Sequence, residues 1–455
     1  MMEDILSLSE TIVGYVWGMP MVVLLFGSGI IFSFYFWFPQ LRLFKHAILV
    51  TSGKYDKPED KGEITHFQAL CAALSATIGL GNIAGVAVAI STGGPGAVFW
   101  MWIAGLLGMA TKFSSISLSM IFRSSSSENP DHMVGGPMYT IKNGLGKAFY
   151  PLAVMFSIFT ILGAIGAGNM FQSNQMASML FDATGMPKWI TGAIFTVLTF
   201  LVLVGGIKRI GNVAAKLVPA MVVIYFVGSL GIIFSNISAV PSMLYQIFHD
   251  AFTGTAAVGG FAGIAFKEVV VHGVRRAVFS NEAGLGSAAM AHSAAKSKPI
   301  QEGIVGMLGP FIDTIVVCTI TALVLLLTGV WSNTGGVEGA ELTGKAFASI
   351  YGPAGTYLVT LVVILFAFSS IISWSYYGEM GIVFLFGSKA VKPYHIIFVL
   401  MVFVGAIVKL SLILNISDAV LGLMAIPNLI ANIMLTPRLK KDLKQYEADL
   451  KAQRI

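Results

Sequence analysis

Charge is what this chain has least of. Asp, Glu, Lys and Arg make up 11% of its 455 residues, while 56% are hydrophobic. A soluble protein carries about 25% charged residues. So few charges cannot cover a water-facing surface, so most of the chain must have lipid as its solvent, and the two or three soluble domains usual at this length are excluded. Cysteine is nearly absent: Cys71 and Cys318 both lie in apolar runs, which excludes a disulfide framework. The seven histidines show no metal-ligand spacing and no P-loop occurs. Nothing therefore supports an enzyme or an organic cofactor. The net charge of +6 reads as loop charge facing an anionic leaflet, with no nucleic-acid partner. The acidic start Met1-Met2-Glu3-Asp4 lacks the basic n-region of a cleaved signal, so the first apolar run is expected to stay.

What is present is a series of long apolar runs. A span needs about 20 mostly apolar residues to cross about 30 Å of hydrocarbon. Eleven candidates follow: 12–38, 64–91, 95–121, 150–180, 188–206, 210–235, 241–272, 299–329, 355–387, 393–410 and 413–436. Segments 133–147 and 273–297 read as short helices on loops. The fold class is an all-α integral membrane protein with 11 transmembrane helices, a single transmembrane domain over 1–455 surrounded by membrane lipids. With the N-terminus outside, the inner loops and tail hold 23 of the 28 Lys and Arg residues. Outer segments hold Lys188, Lys345 and Lys409, and Lys112 and Lys267 fall within spans. This bias predicts an N-terminus outside the cell (inner) membrane and a cytoplasmic C-terminus. The tail, 437–455, is a charged helical extension with a solvated face and anionic-lipid contact as a second role.

Two spans carry glycine-rich interruptions. The second reads Ser75-Ala76-Thr77-Ile78-Gly79-Leu80-Gly81-Asn82 near its middle, and the seventh reads Gly259-Gly260-Phe261-Ala262-Gly263. Such sequences make poor helix interior. In lipid an unwound backbone is tolerated only where it lines a cavity or is buried in protein. Five spans separate the two breaks, and an odd repeat must return upside down. Spans 2–6 (64–235) and 7–11 (241–436) would then form a 5+5 inverted repeat with discontinuous helices 2 and 7, and 12–38 an extra helix. Paired interruptions of this kind point to a secondary transporter site. Each break frees N–H groups that suit a carboxylate and carbonyls that suit an ammonium or sodium ion. A small zwitterion with a monovalent cation is the natural ligand set, and Gly79 and Gly81 admit it close to the main chain.

Side chains on other spans complete the candidate site. Ser369, Ser370, Ser373, Trp374 and Tyr377 share one side of span nine. Ser369 and Ser370 are expected to offer hydroxyl oxygens to sodium, with carbonyls of Ser75, Ile78 and Phe366 as the remaining ligands. Trp374 would wall the substrate. In span four, Gln172 is the preferred ligand residue and Asn169 its neighbour, since both are costly in lipid unless paired. The expected substrate contacts are Thr77, Gly79, Gly81, Asn82, Gln172, Phe261, Gly263 and Trp374. Lys112 and Asp313 are expected to form a buried salt bridge, with Asp313 alone as the best proton site. Lys267, Glu268, His272, Arg275 and Arg276, following the second break, are expected to form an inner vestibule and gate.

Two motifs then carry a resemblance. Gly93-Gly94-Pro95-Gly96-Ala97-Val98-Phe99-Trp100-Met101-Trp102 and Phe279-Ser280-Asn281-Glu282-Ala283-Gly284-Leu285-Gly286-Ser287-Ala288 resemble the signatures of the alanine or glycine:cation symporter family. The similarity runs from about span two to span eleven. One departure is Ala289, where members more often have Pro. The family belongs to the amino acid–polyamine–organocation superfamily, whose members have the leucine-transporter fold of two inverted five-helix repeats. The resemblance implies Na+-driven uptake of alanine or glycine, H+-driven in some members. It also implies that Ser75, Ile78, Phe366, Ser369 and Ser370 fall where that fold keeps a sodium site. Phe99, Trp100 and Trp102 look like an aromatic belt, and Ser280–Ser287 like an inner loop helix with Ser280 as N-cap.

The sequence thus predicts a sodium-coupled symporter that takes up small neutral amino acids by alternating access, with Na+ as coupling ion and no oligomeric state assigned. The alternatives are a proton-coupled amino acid carrier using Asp313, and an ion channel.

Overall fold

The computed structural model describes residues 2–57, 60–125, 133–253, 266–334, 337 and 339–452. Among them, eight helices are long and apolar enough to cross a membrane, or nine if the bent pair His66–Thr77 and Gly81–Gly93 is one span. The chain enters with Ser9–Tyr35 (α1) and a short helix, Phe44–Thr51 (α2). His66–Thr77 (α3) begins at a reciprocal cap: the Thr65 hydroxyl accepts the Gln68 N–H, and the Gln68 side chain accepts the Thr65 N–H. It stops at Ile78, whose ψ of 84° leaves helical geometry. A wide π-turn, Gly81–Gly85, leads into Val86–Gly93 (α4) at a bend of 50°.

Gly96–Ile121 (α5), Lys147–Thr184 (α6), Lys188–Leu203 (α7) and Gly206–Ser235 (α8) follow. Of the span expected at 241–272 the structure describes the two ends. Val240–Thr253 (α9) is a helix whose Phe248 and Phe252 pack on Phe99 and Trp100 of α5. Residues 254–265, and with them Phe261, Gly263 and the break expected at 259–263, lie outside the described residues. The interruption the structure does describe comes later. Phe266–Asn281 (α10) ends at a non-helical stretch, 282–287, and the chain resumes as Ala288–Ser293 (α11). Glu282, Gly284 and Gly286 have φ of 56°, 96° and 83°, a left-handed geometry that no helix continues through. Segment 273–297 is therefore no loop helix, and Ser280 is no N-cap: it is buried in the last turn of α10.

The two interrupted helices pair antiparallel. α3 packs on α11, and α4 packs on α10. Around them stand Pro299–Thr328 (α12), Ala340–Tyr351 (α13), Pro353–Phe386 (α14), Val391–Ile407 (α15) and Leu410–Lys451 (α16). α14 packs on α3, α6 and α8, which places its serines beside the first break. Two further π-turns, Gly166–Met170 in α6 and Phe311–Cys318 in α12, lie in helices that contact the breaks. Wide turns of this kind concentrate at functional sites. The expected tail is helical: α16 runs on to Lys451, and its Tyr446 hydroxyl lies 2.6 Å from His46 Nε2 of α2.

Small residues let α10 and α5 touch. A Cβ on Gly273 would stand 2.5 Å from the Ala97 carbonyl oxygen. Gly273→Ala is expected to destabilise the protein by about 1–3 kcal/mol, the usual cost of overpacking. The readout is a lowered Tm in detergent, with Gly14→Ala, where a Cβ would meet nothing within 4 Å, unchanged. Equal Tm for the two variants would contradict the packing.

Candidate functional site

The first break sits where three helices converge. A Cβ on Gly79 would stand 2.4 Å from Ser370 Oγ of α14 and 3.6 Å from Gln172 Oε1 of α6. One turn earlier, main-chain and hydroxyl oxygens gather between α3 and α14. The Ser75 hydroxyl donates to the Ser369 carbonyl at 2.7 Å. Ser369 donates to the carbonyls of Ser75 at 3.2 Å and Phe366 at 2.9 Å. Ser370 donates to Ser75 at 3.2 Å and Ala76 at 3.3 Å. Ser75, Phe366, Ser369 and Ser370 are all fully buried. The ψ of Ile78 turns its carbonyl out of the helical ladder. Uncharged hard oxygens in such a cluster can hold a monovalent cation, because the hydroxyl protons can swing aside and expose lone pairs.

Gln172 donates from Nε2 to the Ala167 carbonyl at 3.1 Å, and its buried Oε1 has no hydrogen-bond partner among the described residues. An unpaired amide oxygen in a dry site is costly, and an ammonium group placed near Gly79 would satisfy it. Trp374 packs on Gly168 of α6, where a Cβ would stand 2.2 Å from its ring, and meets Tyr377 edge-on at 5.3 Å. Asn169, by contrast, joins helices: it donates to the Phe398 carbonyl of α15 at 2.6 Å. The Thr77 hydroxyl turns back to its own helix, to the carbonyls of Ala73 and Leu74.

Asn82 and Asp313 bind the two breaks together. The Gly79 N–H donates to Asn82 Oδ1 at 2.9 Å, and Asn82 Nδ2 donates to Asp313 Oδ1 at 2.6 Å. The other Asp313 oxygen accepts from Ser280 and Thr314, each at 2.9 Å. Within the second break, Asn428 of α16 donates to the Gly284 carbonyl at 2.7 Å, and the Ser287 hydroxyl donates to the Glu282 carboxylate. The expected Lys112–Asp313 salt bridge is not formed. Asp313 is occupied by three side-chain donors, while the Lys112 ammonium lies against Gly309, 3.3 Å from where its Cβ would be.

The two ends of the interrupted pair are closed by different chemistry. At one end, Glu302 of α12 lies between His66 Nδ1 of α3 at 2.6 Å and His292 Nδ1 of α11 at 2.5 Å. Arg123 there donates to the carbonyls of Ser293 and Ala295, both at 2.9 Å. At the opposite end, Arg275 and Arg276 of α10 both donate to the buried Asp418 of α16, and His272 touches Gly93. Lys267, Glu268, His272, Arg275 and Arg276, the residues expected in an inner vestibule, all lie on α10 ahead of the interruption at 282–287 and away from His66 and His292, and the break they were expected to follow, at 259–263, is outside the described residues.

The sequence placed Ser280, Glu282 and Gly284 in the second signature motif without a site role, and gave no sign of Asn428 or of the His66–Glu302–His292 cluster. One signal was available: Gly284-Leu285-Gly286 repeats Gly79-Leu80-Gly81.

The sodium:alanine symporter family profile matches residues 2–455. The chain is 42% identical over 451 residues to the sodium/alanine symporter AgcS of Methanococcus maripaludis, covering 97% of each. It is 34% identical over 425 residues to the amino-acid carrier protein AlsT of Bacillus subtilis, covering 93% of this chain and 88% of that one. The crystal structure of MhsT in complex with L-phenylalanine has the same fold, with a TM-score of 0.57 at 14% identity, over 81% of this chain and 89% of that chain.

A Cβ on Gly81 would stand 2.8 Å from Ser280 Cα, so any side chain there pushes the breaks apart. Gly81→Val is expected to abolish uptake, at least a hundredfold by initial rate, the scale of about 2.8 kcal/mol, while the protein still reaches the membrane. Wild-type uptake would show that contact between the breaks is dispensable.

Proposed function

The chain belongs to the sodium:alanine symporter family, and on that premise we propose that it takes up a small neutral amino acid, alanine or glycine, together with Na+ by alternating access. It is a multi-pass membrane transporter and not an enzyme. The observation that carries the finer reading is the convergence at Gly79. An unpartnered amide oxygen, Gln172 Oε1, and a hydroxyl of the oxygen cluster, Ser370 Oγ, approach the same unwound peptide.

In this reading Na+ is held by the carbonyls of Ser75, Ile78 and Phe366 and the hydroxyls of Ser369 and Ser370. The substrate carboxylate faces the freed amides at Gly79 and Gly81, its ammonium group meets Gln172, and Trp374 limits its side chain. Asn82 shapes the peptide through its bond to Gly79, and Thr77 stays on the helix behind it. Because Ser370 borders both positions, each ligand favours the other, which is the coupling a symporter needs. One charge moving inward gains about 2.3 kcal/mol per 100 mV, enough for roughly a fifty-fold gradient before any concentration term.

Eleven spans then arise if α7 and the α10–α11 pair also cross, with inverted halves each opening on an interrupted helix. The N-terminus stays outside and the C-terminus inside the cell membrane. The basic bias supports this, since Arg275 and Arg276 leave the inner set without joining an outer loop. Asp313 is a brace and not a proton carrier in this account, because three donors fix its carboxylate between the breaks.

Counterflow of labelled alanine in proteoliposomes tests the proposal. Exchange is expected with Na+ and absent with K+. Ser370→Ala should raise the half-saturating Na+ concentration by about tenfold, the loss of about 1.4 kcal/mol. Exchange that is indifferent to Na+ but lost in Asp313→Asn would favour proton coupling instead, and current without accumulation would favour a channel.

A further inference from the structure

The far end of α1 carries a feature the transport site does not use. Trp37 and Phe38 both adopt left-handed torsions, with φ of 58° and 52°. Bulky residues hold such geometry only when their surroundings enforce it. Arg42 does so: it donates to the carbonyl of Trp37 at 2.6 Å and to that of Phe36 at 3.1 Å, and pairs with Glu447 of α16 at 2.9 Å. The turn thrusts the Trp37 ring outward, 72% exposed. Opposite it, the Lys440 ammonium of α16 sits 4.1 Å from the centroid of the Tyr35 ring.

Between these elements lies a cavity of about 220 Å³, lined by Tyr35, Trp37, Arg42, Lys440, Lys444 and Glu447 among others. Three cations face one carboxylate there. Among the described residues, neither Lys440 nor Lys444 has an ion-pair partner. The chain neighbours of the lining residues Tyr35 and Arg42 are exposed apolar side chains, Phe34 at 65% and Leu41 at 69%. Aromatic rings, unpaired ammonium groups and an adjoining greasy wall describe a polar head with acyl chains attached.

We propose that this groove binds the phosphate of an anionic phospholipid from the adjacent leaflet. Lys440 and Lys444 neutralise the phosphate, Trp37 and Tyr35 lie at the level of the glycerol, and the acyl chains run along Phe34 and Leu41. The lipid would thereby fasten the extension of α16 to the end of α1. Glu447 limits the affinity by competing for the same cations.

The test uses the full-length purified chain in detergent, with native mass spectrometry for lipid binding and Tm for stabilisation. Dioleoylphosphatidylglycerol is expected to bind and raise Tm, whereas dioleoylphosphatidylcholine and inorganic phosphate do neither. The double variant Lys440→Gln/Lys444→Gln should weaken phosphatidylglycerol binding by roughly tenfold or more, and Glu447→Gln should strengthen it. Equal binding of the two lipids, or undiminished binding by the double variant, overturns the proposal. Stabilisation by inorganic phosphate as large as by the lipid overturns its lipid source. Should the double variant fail to fold, unchanged or weaker binding in Glu447→Gln is the overturning result.

Discussion

Hydrocarbon offers no hydrogen bonds, so a helix that unwinds inside a membrane must find partners for its own peptides within the protein. Much of this structure follows from that requirement. The first break spends Asn82 on its own Gly79 amide and joins it to Asp313. The second recruits Asn428 for the Gly284 carbonyl and Asn281 Oδ1 for the Ala283 N–H. Asn82 and Asn281 brace their own helices, while Asp313 of α12 and Asn428 of α16 reach the breaks from elsewhere in the bundle. The polar residues that look extravagant in so apolar a sequence are those that the interruptions demand.

Pairing the interrupted helices antiparallel has a second effect. Each half of one helix rests on the opposite half of the other, so the two ends of the pair can be closed independently. Glu302 between two imidazoles holds one end, and Asp418 beneath two guanidinium groups holds the other. The proposed alternating access would draw on this separation, because the bonds broken at one face must not be those that seal the opposite face.

Much of the candidate site was legible because its chemistry is local. Gly79-Leu80-Gly81 marks a break in an apolar run, and Ser369-Ser370 stands out as an adjacent hydroxyl pair in the middle of a long apolar helix. The second interrupted helix was not legible by the same means. α10 carries Lys267, Glu268, His272, Arg275 and Arg276, too many charges to register as a membrane helix; Lys267 and Glu268 stay exposed, and Arg275 and Arg276 are paired with Asp418, more than a hundred residues later. The hydropathy pattern instead favoured 241–272, whose apolar first part folds as the aromatic-packed α9. Lys112 misled for a related reason: two buried opposite charges suggest a pair, but only the tertiary structure reveals that Asn82, Ser280 and Thr314 already satisfy Asp313.

The wide turn at Gly166–Met170 has an implication for how this chain can vary. A π-turn holds one residue more than the regular helix around it. Losing a single residue there would let α6 close into even winding with the helix beyond still at its present angle, whereas losing one from the regular winding on either side would rotate everything beyond by about 100°. In that second case Gln172 would swing away from Gly79, and the asparagine and serine contacts to α15 would lose their register together. The wide turn is therefore where this stretch can lose a residue with Gln172 still facing Gly79, and the regular winding beside it is where it cannot.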